Sequence, residues 1–130
     1  MLKFFVYGTL KPGEINYKLY CQGLVVEEKL ALTKGLLFDL SLGYPAMMEG
    51  EGWIKGYLLT FKEKSILDTL DRLEDYQEKR SPSENEYYRK LIAIYNPELI
   101  EIGQAWGYFM NSEKIKQFQG IRLFSGCWKS

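Results

Sequence analysis

The sequence predicts an α+β domain, a mostly antiparallel sheet or small mixed β-barrel carrying few helices. Three observations lead there. Short β-compatible runs recur along the chain, and only one segment has clear helical periodicity. Apolar residues make up 46% and charged residues 26% of 130, enough to bury one core without covalent staples. Residues 1–130 are therefore expected to form a single domain.

Taken in order, Leu2 to Val6 is a continuous apolar run approaching a Gly, the pattern of a buried strand, and Lys11-Pro12-Gly13 prevents its simple continuation. Leu24-Val25-Val26 and Gly35-Leu36-Leu37-Phe38 read as two strands with polar residues between them, and Gly43-Tyr44-Pro45 reads as a turn. Trp53 to Phe61 reads as a further strand, in which Gly56 marks a bulge or a close backbone approach. A helix is predicted from about Lys64 to Asp75, because Ile66, Leu67, Leu70 and Leu73 recur at helical spacing and Ser65 with Asp68 resembles an N-terminal cap. Gln77 to Glu86, including Arg80-Ser81-Pro82-Ser83, is polar and reads as a loop. Tyr87 to Tyr95 and Gln104 to Met110 read as strands, Asn111 to Gln119 as a polar stretch, and the tail Arg122 to Trp128 is expected to fold back over the core.

Composition narrows the function. Seventeen basic and seventeen acidic side chains cancel and form no like-charged run, so the footprint of a nucleic-acid or anionic-membrane binder is missing and a small-molecule partner is expected. With no His, the chain cannot build a Ser-His-Asp or Cys-His nucleophile or a His-ligated metal site. Cys21 and Cys127 lie far apart in sequence, which fits a reducing cytoplasm better than a disulfide framework or a metal clip. No metal or cofactor is expected. No stretch approaches the roughly 18 apolar residues of a spanning helix, and the N-terminal apolar run is too short for an export signal. The chemistry must come from carboxylates, Lys, Tyr or backbone amides.

One carboxylate is out of place. On a wheel of about 100° per residue with Ile66 at zero, Leu70 and Leu67 lie near about 40° and 100°, and Glu74 near about 80°, inside the apolar arc. Asp68, Asp71 and Asp75 fall at about 140–200°, where a solvated face belongs. Glu74 then either escapes to water at the fraying helix end or is a desolvated acid/base with a raised pKa. The turn Tyr7-Gly8-Thr9-Leu10 also has two readings. It is an ordinary turn, or a nest in which Gly permits positive φ and backbone N–H groups converge on an anion, with Lys11 adding charge.

Read together, Val6-Tyr7-Gly8-Thr9-Leu10-Lys11-Pro12-Gly13, Gly43-Tyr44-Pro45-Ala46, Leu67-Asp68-x-Leu70-Asp71-x-Leu73-Glu74, Tyr87-x-Arg89 and the terminal Ser125-Gly126-x-Trp128 resemble the ordered landmarks of the gamma-glutamyl cyclotransferase-like superfamily. The resemblance spans most of the chain. It implies a small mixed α+β barrel, Glu74 as catalytic acid/base, and Tyr7, Gly8, Thr9 and Leu10 as the cradle of a glutamyl unit. Tyr87 and Tyr108 resemble tyrosines that line the family's pocket, although strand tyrosines are more often core residues with a satisfied hydroxyl. Many relatives carry Gly after the catalytic Glu. Asp75 stands there instead, which is expected to alter the helix end and to bring a like charge that raises the pKa of Glu74.

The reaction implied by the resemblance is cyclisation of a γ-glutamyl unit to 5-oxoproline with release of an amine or amino acid. A non-catalytic binding or regulatory domain for a small carboxylate metabolite is the alternative, and another amide-processing enzyme is a third. The leaving group and the oligomeric state are not legible in the sequence.

Overall fold

The computed structural model describes residues 1–81 and 85–129. Six strands form one mixed sheet: β1 (Leu2–Val6), β2 (Val25–Asp39), β3 (Pro45–Phe61), β4 (Tyr88–Tyr95), β5 (Glu101–Phe109) and β6 (Ile121–Arg122). Helix α1 (Ile66–Leu73), helix α2 (Ser112–Gln117) and a short π-helical turn at Tyr17–Cys21 complete the elements. No helix among the described residues is long and apolar enough to cross a membrane.

Strand order is β3-β1-β5-β4-β2-β6, and β2 also pairs with β3, so the sheet curls back on itself. Most neighbours are antiparallel, but β1 runs parallel to β5, with Phe4 opposite Trp106. That junction and the β2–β4 junction at Leu32 and Tyr95 are single-residue pairings. The result is a bent mixed sheet with no regular barrel.

The curl explains the unbroken apolar run of β1. Phe4 and Val6 face one core with Leu59, Leu70 and Met110, while Phe5 and Tyr7 face a second with Met47, Ile54 and Phe109. A strand buried on both faces has no polar alternation. At Gly56 an added Cβ would lie 2.2 Å from the Val6 carbonyl oxygen, so the close-approach reading of that glycine is correct and no bulge occurs there.

Several expected boundaries differ. The two expected strands between residues 22 and 40 are one, because its polar middle is paired with β3 throughout and Gly35 is absorbed in an irregularity between Lys34 and Leu36. β3 begins at Pro45, eight residues before the expected strand, so the turn ends at Tyr44. Ser65 makes no side-chain cap to α1. The polar stretch after β5 contains helix α2, capped by the Asn111 side chain, which accepts from the Lys114 N–H at 2.8 Å. Pro82, Ser83 and Glu84 of the expected loop lie outside the described residues. The tail does fold back: Trp128 is buried in the second core, and the Gly126 carbonyl accepts from the Lys55 N–H at 2.7 Å.

Candidate active site

The end of β1, the end of α1, the start of β3 and the edge of the β4–β5 hairpin meet around a cavity of about 220 Å³. All seven residues singled out from the sequence line it: Tyr7, Gly8, Thr9, Leu10, Glu74, Tyr87 and Tyr108. They come from four places in the chain, and the fold alone brings them together.

Glu74 is the C-cap residue of α1. Its carboxyl has no hydrogen-bond or ion-pair partner among the described residues, although the residue is only partly exposed and faces the cavity. Burial first, and the nearby Glu86 carboxylate second, push its pKa from 4.5 to about 8. A carboxyl in this state holds a proton near neutral pH and exchanges it readily with an amine. It does not escape to water at the helix end.

The expected source of like charge was wrong. Asp75 adopts φ of 53° and turns its carboxylate outward to Arg80, 3.0 Å away. The like charge comes from Glu86, whose Oε1 accepts from the Tyr44 hydroxyl at 2.9 Å and which lines the same cavity. Burial, then this hydrogen bond, pushes Tyr44 up to about 12. Sequence periodicity had no means of finding Glu86, since it lies in the irregular segment ahead of β4.

Asp71 was also misplaced on the solvated face. Its side chain is 16% exposed and accepts from Arg89 Nε at 3.0 Å and from the Tyr108 hydroxyl at 2.6 Å. Arg89 in turn lies over the Trp106 ring, 4.4 Å from its centre. This network ties α1 to β4 and β5 and holds Tyr108, which lines the cavity. Burial, then the Asp71 hydrogen bond, raises the Tyr108 pKa beyond the ordinary phenol range. Tyr7 donates to the Tyr108 carbonyl at 2.7 Å, and Tyr87 donates to the Pro45 carbonyl at 2.7 Å. These tyrosines line the cavity and have satisfied hydroxyls, so they shape it as neutral walls.

The turn after β1 is built differently from the expected nest. Gly8 is not at positive φ; an added Cβ would lie 2.8 Å from the Pro45 ring, so glycine is required for close approach. Lys11 is buried, donates to the Trp128 carbonyl and lies 5.9 Å from the centre of its ring, so it does not bring charge to the cavity. Asn16 fixes the turn instead. Its Nδ2 donates to Thr9 Oγ1 at 2.8 Å, and the Thr9 carbonyl accepts from the Asn16 and Tyr17 N–H groups at 2.9 and 3.2 Å. The N–H groups of Thr9 and Leu10 have no protein acceptor among the described residues, and both residues line the cavity. A second, open groove lined by Ile15, Leu19 and Trp128 adjoins the cavity at Thr9.

Among the described residues no cluster of His, Cys, Asp and Glu is arranged to hold a metal ion. The arrangement consists of one proton-carrying carboxyl, one further carboxylate, backbone donors and neutral aromatic walls.

The chain is similar to known proteins. A putative gamma-glutamylcyclotransferase, YkqA of Bacillus subtilis (strain 168), is 31% identical over 127 residues, which are 96% of this chain and 40% of that protein. A gamma-L-glutamyl-butirosin B gamma-glutamyl cyclotransferase of Niallia circulans is 33% identical over 76 residues, 58% of this chain and 47% of that protein. The chain thus spans less than half the length of these two curated relatives. The crystal structure of YkqA superposes with a TM-score of 0.68 at 27% identity, over 98% of this chain and 39% of that one. An AIG2-like protein from Mus musculus shares the fold, with a TM-score of 0.73 at 20% identity over 99% of this chain and 88% of that one. The model of the family described as gamma-glutamyl cyclotransferase, AIG2-like, matches residues 4–130, from the middle of β1 through the tail that closes the second core, and the chain belongs to that family.

Proposed function

We propose that the protein cyclises a γ-glutamyl unit to 5-oxoproline and releases an amine, with Glu74 as the general acid/base. The observation that carries this reading is the unpartnered carboxyl of Glu74, held near pKa 8 in a cavity lined also by Thr9 and Leu10, whose N–H groups have no protein acceptor among the described residues. The α-amine of a γ-glutamyl unit keeps its α-carboxylate beside it and titrates above the roughly 8 of a chain-terminal amine, so a Glu near 8 narrows the proton-transfer gap to about a unit or two, whereas an ordinary Glu would be mismatched by more than about 5 kcal/mol.

In the proposed reaction Glu74 accepts a proton from the substrate's α-ammonium group. The freed amine attacks the γ-carbonyl carbon of the same molecule, forming the lactam C–N bond and leaving the attacking nitrogen with two protons and a positive charge. Collapse of the tetrahedral intermediate breaks the original amide bond as Glu74 gives its proton to the leaving nitrogen, and the regenerated carboxylate takes the second proton from the attacking nitrogen, leaving a neutral lactam N–H; that proton then passes to the released amine or to water. No protein nucleophile is needed, and much of the rate comes from holding the substrate folded for attack. Backbone N–H groups of the 7–10 turn receive the substrate α-carboxylate, and Tyr7, Tyr87 and Tyr108 shape the space around its methylenes.

The leaving group extends into the adjoining groove, where Ile15, Leu19 and Trp128 can cover an apolar body and Glu14, Lys18 and Gln22 can meet a polar end. A γ-glutamyl amine is the favoured substrate class, and the cytoplasm the favoured compartment. The test is 5-oxoproline release, followed by mass spectrometry, from γ-glutamyl amines, γ-glutamyl dipeptides and glutathione. Wild type is expected to turn over at least one of them, and Glu74→Gln to lose at least about a hundredfold in kcat with its fold intact. Undiminished turnover by the variant would remove Glu74 from the mechanism, and no product from folded wild type would leave a binding domain.

A further inference from the structure

The cavity that holds Glu74 contains a second carboxylate and no cation. Its lining includes Glu86 and no Lys or Arg, and the nearest basic residue of the turn, Lys11, is committed to Trp128. Of the other acids of α1 and its C-terminal end, Asp71 is paired with Arg89, Asp75 with Arg80, and Asp68 is exposed to solvent. Glu86 has no ion-pair partner among the described residues. Its backbone N–H donates to the Asp75 carbonyl at 3.3 Å, which anchors it beside the end of α1, and Tyr44 holds Oε1 at 2.9 Å. Oε2 is left without a protein donor among the described residues. Burying part of a carboxylate without a counter-charge is costly, and a cationic ligand group would offset that cost.

We propose that Glu86 is the counter-charge for the substrate's α-ammonium group and so restricts the site to γ-acyl units that carry a free α-amine. The inference rests on the cyclotransferase reading above. A γ-glutamyl unit has one cation, placed within reach of its own γ-carbonyl, and the cavity offers it two carboxyl groups, Glu74 and Glu86. Glu74 must gain the ammonium proton and becomes neutral in doing so, so it cannot hold the cation as a fixed charge. Glu86 can. It acts on Glu74 and on the ammonium in the same direction, favouring the protonated form of each, and therefore draws the substrate in while raising both. Cyclisation turns the ammonium into a neutral lactam N–H, so the product no longer has the charge that Glu86 attracted.

Glutamyl specificity is then read as a ratio of affinities. Two probes differing only at the α-amine are γ-glutamyl-butylamide and N-butylglutaramic acid, which has hydrogen in its place. Their binding is to be measured by calorimetry at pH 7 in the Glu74→Gln protein, which does not consume the first probe. The amino probe is expected to bind about tenfold to a hundredfold more tightly, as a charge-assisted contact implies. Adding Glu86→Gln is expected to bring the ratio close to one while the affinity for the des-amino probe is kept, which also reports an intact pocket. A ratio unchanged by Glu86→Gln overturns the role of Glu86. Failure of the Glu74→Gln protein to bind either probe overturns the glutamyl reading and this inference with it. Where the double variant does not fold, a crystal structure of the Glu74→Gln protein with the amino probe decides. An α-nitrogen within hydrogen-bond distance of Glu86 Oε2 supports the assignment, and a nitrogen held elsewhere refutes it.

Discussion

A carboxyl whose pKa rises from 4.5 in the unfolded chain to about 8 in the fold binds its proton more tightly in the native state. Between those values native Glu74 is protonated while unfolded Glu74 is not, so the native state binds more protons and stability falls as pH rises through the window. Below about 4.5 the residue costs little, and above about 8 the full cost of a desolvated anion is present. Glu74→Gln should therefore leave thermal stability nearly unchanged at pH 5 and raise it at pH 8.5, by about 1–3 kcal/mol once solvent at the cavity is allowed for. Melting curves at the two pH values check this, and an equal effect at both would mean that Glu74 titrates normally. The same pKa fixes the rate profile. The reactive complex carries one proton shared between Glu74, near 8, and a substrate α-amine that titrates higher, so kcat/KM is expected to form a bell whose optimum lies above the Glu74 value, on the alkaline side of pH 8. Glu74 was legible because the helical wheel set it among leucines. Asp71 was misread on that wheel, since an angle says nothing of the strands that cover a flank, and it is Tyr108 and Arg89 that bury it.

At the scale of the element, the end of α1 is what aims Glu74. The Tyr76 N–H donates to the Asp71 carbonyl at 2.9 Å and the Asp75 N–H to the Arg72 carbonyl at 3.2 Å, with Asp75 at φ 53°, which is a Schellman closure. Asp tolerates the left-handed region better than most residues and less well than Gly. Asp75→Gly relieves the backbone and loses only an exposed ion pair with Arg80, so it should be neutral or stabilising by up to about 1 kcal/mol, with activity retained. Asp75→Ala keeps the strain and loses the pair, and should cost about 1 kcal/mol. Chemical denaturation of the three proteins gives the order, and Ala at or above Gly would show that the cap is not what Asp75 is there to satisfy. The helix itself was legible from its leucines, whereas α2 was not. It spans six residues and buries only Ile115, too little to impose a period. β2 was read as two strands because residues 26–30 are exposed on both faces and carry no alternation; long-range pairing with β3, invisible in local pattern, holds them.

For the whole molecule, the sequence order of landmarks was informative while their meeting point was not, because the cavity depends on β1 lying between two cores and on strand pairings distant in sequence. The tail is the least local of these parts. Trp128 is buried with Phe5 and Met47, Gly126 is tied to Lys55, and Lys11 is drawn down onto the Trp128 carbonyl and ring. A residue near the end of the chain therefore fixes the far side of the turn whose near side faces Glu74. Trp128→Ala should cost about 3–5 kcal/mol as a large-to-small change in a packed core. Trp128→Phe keeps the carbonyl that Lys11 uses and most of the buried ring, and should lose less than half of that. If the tail holds the turn as well as the core, the Ala variant will bind a γ-glutamyl ligand more weakly even at temperatures where it remains folded, with the pKa of Glu74 unmoved. Ligand affinity measured well below the melting point, alongside the pH profile, separates the two effects. An Ala variant that is less stable but binds normally would confine Trp128 to the core and leave Asn16, through Thr9, as the support of the turn.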